Sequence, residues 1–127
     1  IIFFCGSNDI NGWNSPKEVF DEFKTFLYSV KKVLPKTKVF AISIQPSPSR
    51  FNQRPRQQEW NDAVSNLAKS DSNLVYIDVS SPMLSSNKMP KLELYTEDTL
   101  HMNINGYKIW TEQVRANLKK YFPEDFL

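Results

Sequence analysis

Three short apolar runs recur along the chain: residues 1–5 (Ile-Ile-Phe-Phe-Cys), 39–44 (Val-Phe-Ala-Ile-Ser-Ile) and 74–79 (Leu-Val-Tyr-Ile-Asp-Val). Each is too short for a helix and has the continuous character of a strand buried on both faces. Between and after them the apolar residues change period. Ser15-Pro16-Lys17-Glu18 offers an N-cap serine, a proline at the first helical position and a capping-box glutamate. Val19, Phe20, Phe23, Phe26, Leu27, Val30, Val33 and Leu34 then recur at steps of three and four, which predicts one apolar helix face ending at Pro35. Trp60, Ala63, Val64, Leu67 and Ala68 mark a second helix. A third is expected from about Ile104, capped by Asn103, with Tyr107, Trp110, Val114, Leu118 and Tyr121 on its buried face. Strand and helix in alternation predict an α/β fold, a parallel sheet covered by helices through right-handed crossovers.

A length of 127 residues with 40% hydrophobic content allows one small domain with one core. The 16 Lys and Arg against 14 Asp and Glu leave +2, too even a balance for a nucleic-acid or membrane-attracted surface. No apolar run nears the roughly 20 residues that span a bilayer. Cys5 stands alone, which excludes an internal disulfide and a multi-cysteine metal site, and its expected place is the core. The opening Ile1-Ile2-Phe3-Phe4 has the character of a domain interior, so the chain is expected to start inside a domain, with any targeting segment upstream.

In a parallel α/β sheet, ligands bind beyond the C-terminal strand ends, which directs attention to three loops. The first holds Gly6-Ser7-Asn8-Asp9, the second residues 45–55, and the third leads to Asp98-Thr99-Leu100-His101. His101 is the only histidine, with a carboxylate three residues before it. A carboxylate on the imidazole Nδ1–H fixes the tautomer and leaves Nε2 to exchange a proton with a nucleophile. The same spacing is also compatible with a surface histidine. Asn8 follows a glycine at a strand end, where its amide is suited to meet a developing oxyanion, although an ordinary turn uses the same residues.

Taken together, Phe3-Phe4-Cys5-Gly6-Ser7-Asn8-Asp9 resembles the Gly-x-Asn-Asp block of the SGNH (GDSL-type) hydrolases. Residues 98–107, Asp-Thr-Leu-His-Met-Asn-Ile-Asn-Gly-Tyr, resemble their Asp-x-x-His block with its following Asn and Gly-Tyr. The order of the blocks, with two βα units between them, also resembles that family, and the resemblance covers nearly the whole chain. It implies a three-layer α/β/α, flavodoxin-like domain of which residues 1–127 form the C-terminal two-thirds. It implies Asn8 as an oxyanion donor, His101 as general base and acid, Asp98 as the residue orienting His101, and Asp9 as a brace for the turn.

The family's serine, in a Gly-Asp-Ser block, and its oxyanion glycine are absent from these residues. Two βα units of about 30 residues each are expected upstream to supply them. Without those units, residues 1–5 would form an open sheet edge. Ser7, Ser47 and Ser49 have no nucleophilic role in the resemblance. Arg50, Phe51, Arg54 and Trp60 are candidates for a pocket lining, with loop charge and core packing as the plainer alternatives. The implied activity is hydrolysis of small acyl or O-acetyl esters, with a small-molecule ester or acylated carbohydrate as substrate and no cofactor. Two rivals stand beside it: a pseudoenzyme that binds carbohydrate or a protein partner, and a generic flavodoxin-like module.

Overall fold

The computed structural model describes residues 1–12 and 14–126, which form two compact units. The first comprises Ile1–Ile44 and Asn52–Tyr76; the second comprises Gln45–Phe51 and the chain from Ile77 onward. The elements follow the expected alternation: β1 (Ile2–Phe3), α1 (Ser7–Asn11), α2 (Pro16–Val33), β2 (Val39–Ile42), α3 (Arg54–Ser70), β3 (Leu74–Ile77) and α4 (Ile104–Tyr121). The strands make a parallel sheet in the order β1-β2-β3, with Ile2 opposite Phe40 and Phe3 opposite Ala41. Fold class and element order therefore agree with the sequence.

In the first unit, the middle strand β2 is buried along its whole length. Helix α2 begins at the expected capping box: the Ser15 hydroxyl accepts from Glu18 N at 3.2 Å, and Ser15 N donates to the Glu18 carboxylate at 2.7 Å. Its face carries Val19, Phe23, Leu27 and Val30 into a core shared with Ile10, Val39, Ala41, Ile44, Trp60, Val64 and Leu74. Phe3 stacks on Phe26 with ring centroids 4.9 Å apart, and Phe23 meets Trp60 at 5.8 Å. Lys31 and Lys32 lie in the last turn of α2, where cations suit the helix dipole, and Lys31 also pairs with Asp71.

Several expectations are corrected. Residues 1–5 are not buried on both faces: β1 is a sheet edge of two residues, and Ile1, Ile2 and Phe4 are exposed. Cys5 is exposed rather than in the core, because it lies beyond the strand. Val33 and Leu34 share the helical period of α2, yet both are exposed at its C-terminal end. Trp60 is buried in the first unit's core, and one edge of its side chain lines a small cavity there with Phe3, Gly6, Val19 and Phe23. Asn8 and Asp9 belong to a short helix capped by Gly6 instead of a plain turn, and Ile10 of that helix is buried. The expected loop at 45–55 contains a 3-10 helix, Pro48–Gln53, and the first residues of α3.

The second unit has a smaller core of Met83, Leu94, Tyr95 and Met102, on which Ile109 and Trp110 of α4 pack. Asn103 caps α4 as expected, and Lys119 and Lys120 fall in its last turn. Of the expected buried face, Trp110, Val114 and Leu118 are half-buried, while Tyr107 and Tyr121 are exposed. The four-residue core reaches only the first half of α4, so periodicity there exceeds coverage.

Candidate active site

The Asp98–His101 loop is built on two stems. Tyr95 and Met102 form an isolated antiparallel bridge, and Thr96 N donates to His101 O at 2.8 Å. The chain between them turns tightly enough that Thr99 takes φ of 55°, a left-handed conformation that costs a β-branched residue energy and marks a constrained position.

The constraint is held by Asp98. One carboxylate oxygen, Oδ1, accepts from the main-chain N–H groups of Leu100 and His101, each at 2.9 Å, and from the Thr96 hydroxyl at 2.8 Å. The other, Oδ2, lies 2.5 Å from His101 Nδ1. The loop thus uses one oxygen to shape the backbone and the other to fix the ring. The His101 ring beside it, then the main-chain donors, hold the Asp98 carboxyl well below the usual carboxylate range. A lowered value means that the charged form's contribution to the loop is complete above the ordinary carboxylate pKa and is lost only as pH falls through the lowered one. Asp98 is therefore an anion throughout neutral pH. The His101 side chain is 74% exposed, and with Nδ1 turned to Asp98 its Nε2 lies on the opposite edge of the ring. With Nδ1–H donating to Asp98, Nε2 of the neutral ring is left as an acceptor facing solvent.

The segment leaving β2 belongs to the same unit and is fastened to this loop. The Tyr95 hydroxyl donates to Pro46 O, and Ser49 N donates to Thr99 O at 3.2 Å. Ser47 is buried, at 3% exposure, which disfavours it as a nucleophile. Arg50 and Phe51 are half-buried in this segment.

Asn8 lies in the first unit, exposed in the first turn of α1. The helix starts at Gly6, whose φ of 104° is open to glycine and strained for any L side chain. A Cβ there would also press within 3.3 Å of Val19 and 3.4 Å of Ile44. Gly6 is thus required by conformation, with little spare room toward Val19. Asp9 accepts from Gly12 N through its main-chain oxygen at 3.2 Å, closing the short helix, and its carboxylate lies 4.0 Å from the Cys5 thiol.

The sequence-derived site residues are thus placed as follows: Asp98 and His101 are in direct contact, and Asn8 heads α1 in the other unit. Two residues that the sequence did not single out also shape this loop: Thr96 braces Asp98, and Tyr95 anchors the neighbouring segment. In the first unit, Asn61 holds the chain just past the end of β2. Asn61 Oδ1 accepts from Ile44 N at 2.8 Å, and its Nδ2 donates to Ile44 O at 3.0 Å. An asparagine in mid-helix, where its propensity is poor, is the only sequence signal it offers. Arg54, considered for the pocket, opens α3 and donates to Gln58 at 2.6 Å.

Among the described residues, no cluster of three or more His, Cys, Asp or Glu side chains is arranged to hold a metal, and no helix is long and apolar enough to cross a membrane.

A parallel α/β sheet carrying these loops places the chain in the α/β class, among folds shared with ester hydrolases. The chain belongs to the GDSL-like lipase/acylhydrolase family, whose model matches residues 1–109. Its fold is similar to that of a Streptococcus pneumonia protein described as a "putative platelet activating factor", with a TM-score of 0.81, 25% identity, and 92% of this chain and 58% of that one covered. It is also similar to a GDSL-like lipase from Bacteroides thetaiotaomicron, with a TM-score of 0.78, 22% identity and coverage of 94% and 62%. A carbohydrate esterase family 3 protein from Talaromyces cellulolyticus gives a TM-score of 0.79, 18% identity and coverage of 97% and 58%. The chain thus spans about three-fifths of the length of these structures. Among curated proteins, none matches the sequence.

Proposed function

We propose that the whole protein hydrolyses small carboxylic esters, acyl or O-acetyl, through a serine acyl-enzyme. In this reading residues 1–127 are part of one SGNH-type domain, and the nucleophilic serine is supplied by sequence upstream of them. The observation that carries the reading is the 2.5 Å contact between Asp98 Oδ2 and His101 Nδ1, set in a loop that leaves the ring open to solvent. Membership of a lipase/acylhydrolase family supports it.

The roles follow from the chemistry of each group. The serine Oγ attacks the ester carbonyl while His101 Nε2 takes its proton, and Asp98 stabilises the resulting imidazolium through Nδ1–H. The carbonyl oxygen becomes an oxyanion, toward which Asn8 offers its side-chain amide. Collapse breaks the C–O bond to the alcohol, which leaves with the proton from Nε2. Water then repeats the sequence in reverse, releasing the acid and restoring the serine. Each step passes one proton through His101, so the charge on Asp98 need not change.

The test is turnover of p-nitrophenyl acetate by the full-length protein. Steady release of nitrophenol above the buffer rate is expected. A folded full-length protein that binds carbohydrate yet gives no turnover with acetyl esters would establish the pseudoenzyme reading instead.

A further inference from the structure

The side chain of Asn103 does more than cap α4. Its Oδ1 accepts from Asn105 N at 2.9 Å and Gly106 N at 3.3 Å, which is the capping function. Its Nδ2 donates to Glu93 O and to Tyr95 O, both at 2.9 Å, and its main-chain N donates to Leu94 O at 3.0 Å. An amide side chain has two donor hydrogens and one oxygen with two lone pairs, and all four capacities are used here. One residue thereby satisfies three consecutive carbonyls, 93 to 95, where a short 3-10 helix, Leu92–Leu94, hands the chain to the Tyr95 stem of the His101 loop.

The other stem is fixed by the same helix end. Met102 bridges to Tyr95, and Gly106, in the first turn of α4, sits so close that a Cβ would fall 2.6 Å from Leu94 O and 2.8 Å from Met102 Cβ. Gly106 admits the helix to within backbone contact of both stems, and Asn103 stitches it there. The loop between the stems, residues 96–101, carries Asp98 and His101.

We infer that Asn103 is a positioning residue: through Glu93 O and Tyr95 O it sets the placement of the Asp98–His101 pair, beyond any stability it gives α4. The functional consequence rests on the ester-hydrolase reading above. Misplacement of a reacting group by about 1 Å can cost on the order of 100-fold in rate, whereas loss of a cap alone affects how much protein is folded.

Serine and aspartate at this position separate the two roles. Both are good N-caps, but serine is too short to reach the 93 and 95 carbonyls, and aspartate would present oxygens to them. In the full-length protein, assayed well below its melting temperature, Asn103→Ser is expected to fold and to lower kcat per folded molecule roughly 10- to 100-fold. KM should change little, and Asn103→Asp should be more impaired than Asn103→Ser. The His101 Nδ1–H proton resonance should shift or broaden in both variants. Wild-type kcat in both, with His101→Ala inactive, would overturn the positioning role and leave the esterase reading standing. An unchanged Nδ1–H resonance would overturn it independently of any activity. Full activity in His101→Ala would instead remove His101 from the chemistry, and a wild-type full-length protein without ester turnover would overturn the esterase reading.

Discussion

His101→Ala in the full-length protein is expected to lower kcat/KM for a small ester by roughly 10⁴- to 10⁶-fold, the scale on which triad chemistry fails when one of its members is lost. Its effect on stability should be small. The imidazole is 74% exposed, and the histidine's main-chain groups, which donate to Asp98 Oδ1 and accept from Thr96 N, survive the substitution. Turnover measured beside a thermal melt separates the two effects: a large kinetic loss on an unshifted melt is the expected pair. Asp98 is a less selective probe, because its Oδ1 gathers three donors and its removal would also loosen the loop's backbone. A change of less than tenfold in His101→Ala would remove the histidine from the chemistry.

Asn61→Ala carries the largest expected stability effect. Ile44 is fully buried and Asn61 is 1% exposed, so truncation strands both the N–H and the C=O of Ile44 away from water. At about 1–3 kcal/mol for each unsatisfied buried group, the loss should be about 2–6 kcal/mol in denaturant unfolding. The cost falls at the point where the chain leaves β2 for the segment fastened to Tyr95 and Thr99, so the variant should also expose that segment to protease. A loss below about 1 kcal/mol would mean that water replaces the amide and that the pairing is not essential.

These two residues also mark how far the sequence could be read. Asp98 and His101 are three apart in one loop, and that short spacing is itself the geometry, so the pair is legible in the sequence. The caps at Ser15 and Asn103 were legible for the same reason, since a cap bonds main-chain groups two or three residues away. Asn61 reaches Ile44 across 17 residues, and Tyr95 reaches Pro46 across 49, and no local pattern encodes either bond. Asn103 was legible as a cap but not as a clamp, because its donors go to carbonyls eight and ten residues back.

Hydrophobic period had a different limit. It correctly placed Val19, Phe23, Leu27 and Val30 on one face, but it also assigned Val33, Leu34, Tyr107 and Tyr121 to buried faces, and these are exposed. Period states which side chains share a face and carries no information on whether another element covers it. Cys5 failed for a related reason: residue type favours the core, while its place past the end of β1 puts it on the surface.

The most direct test of the central claim is intact-mass analysis of the full-length protein quenched during turnover of a slowly deacylating ester. The account predicts a mass increase of one acyl group, mapped by peptide analysis to a serine upstream of these 127 residues and absent in His101→Ala. Ester turnover with no acyl adduct under conditions where deacylation limits the rate, or an adduct that forms equally well without His101, would contradict it.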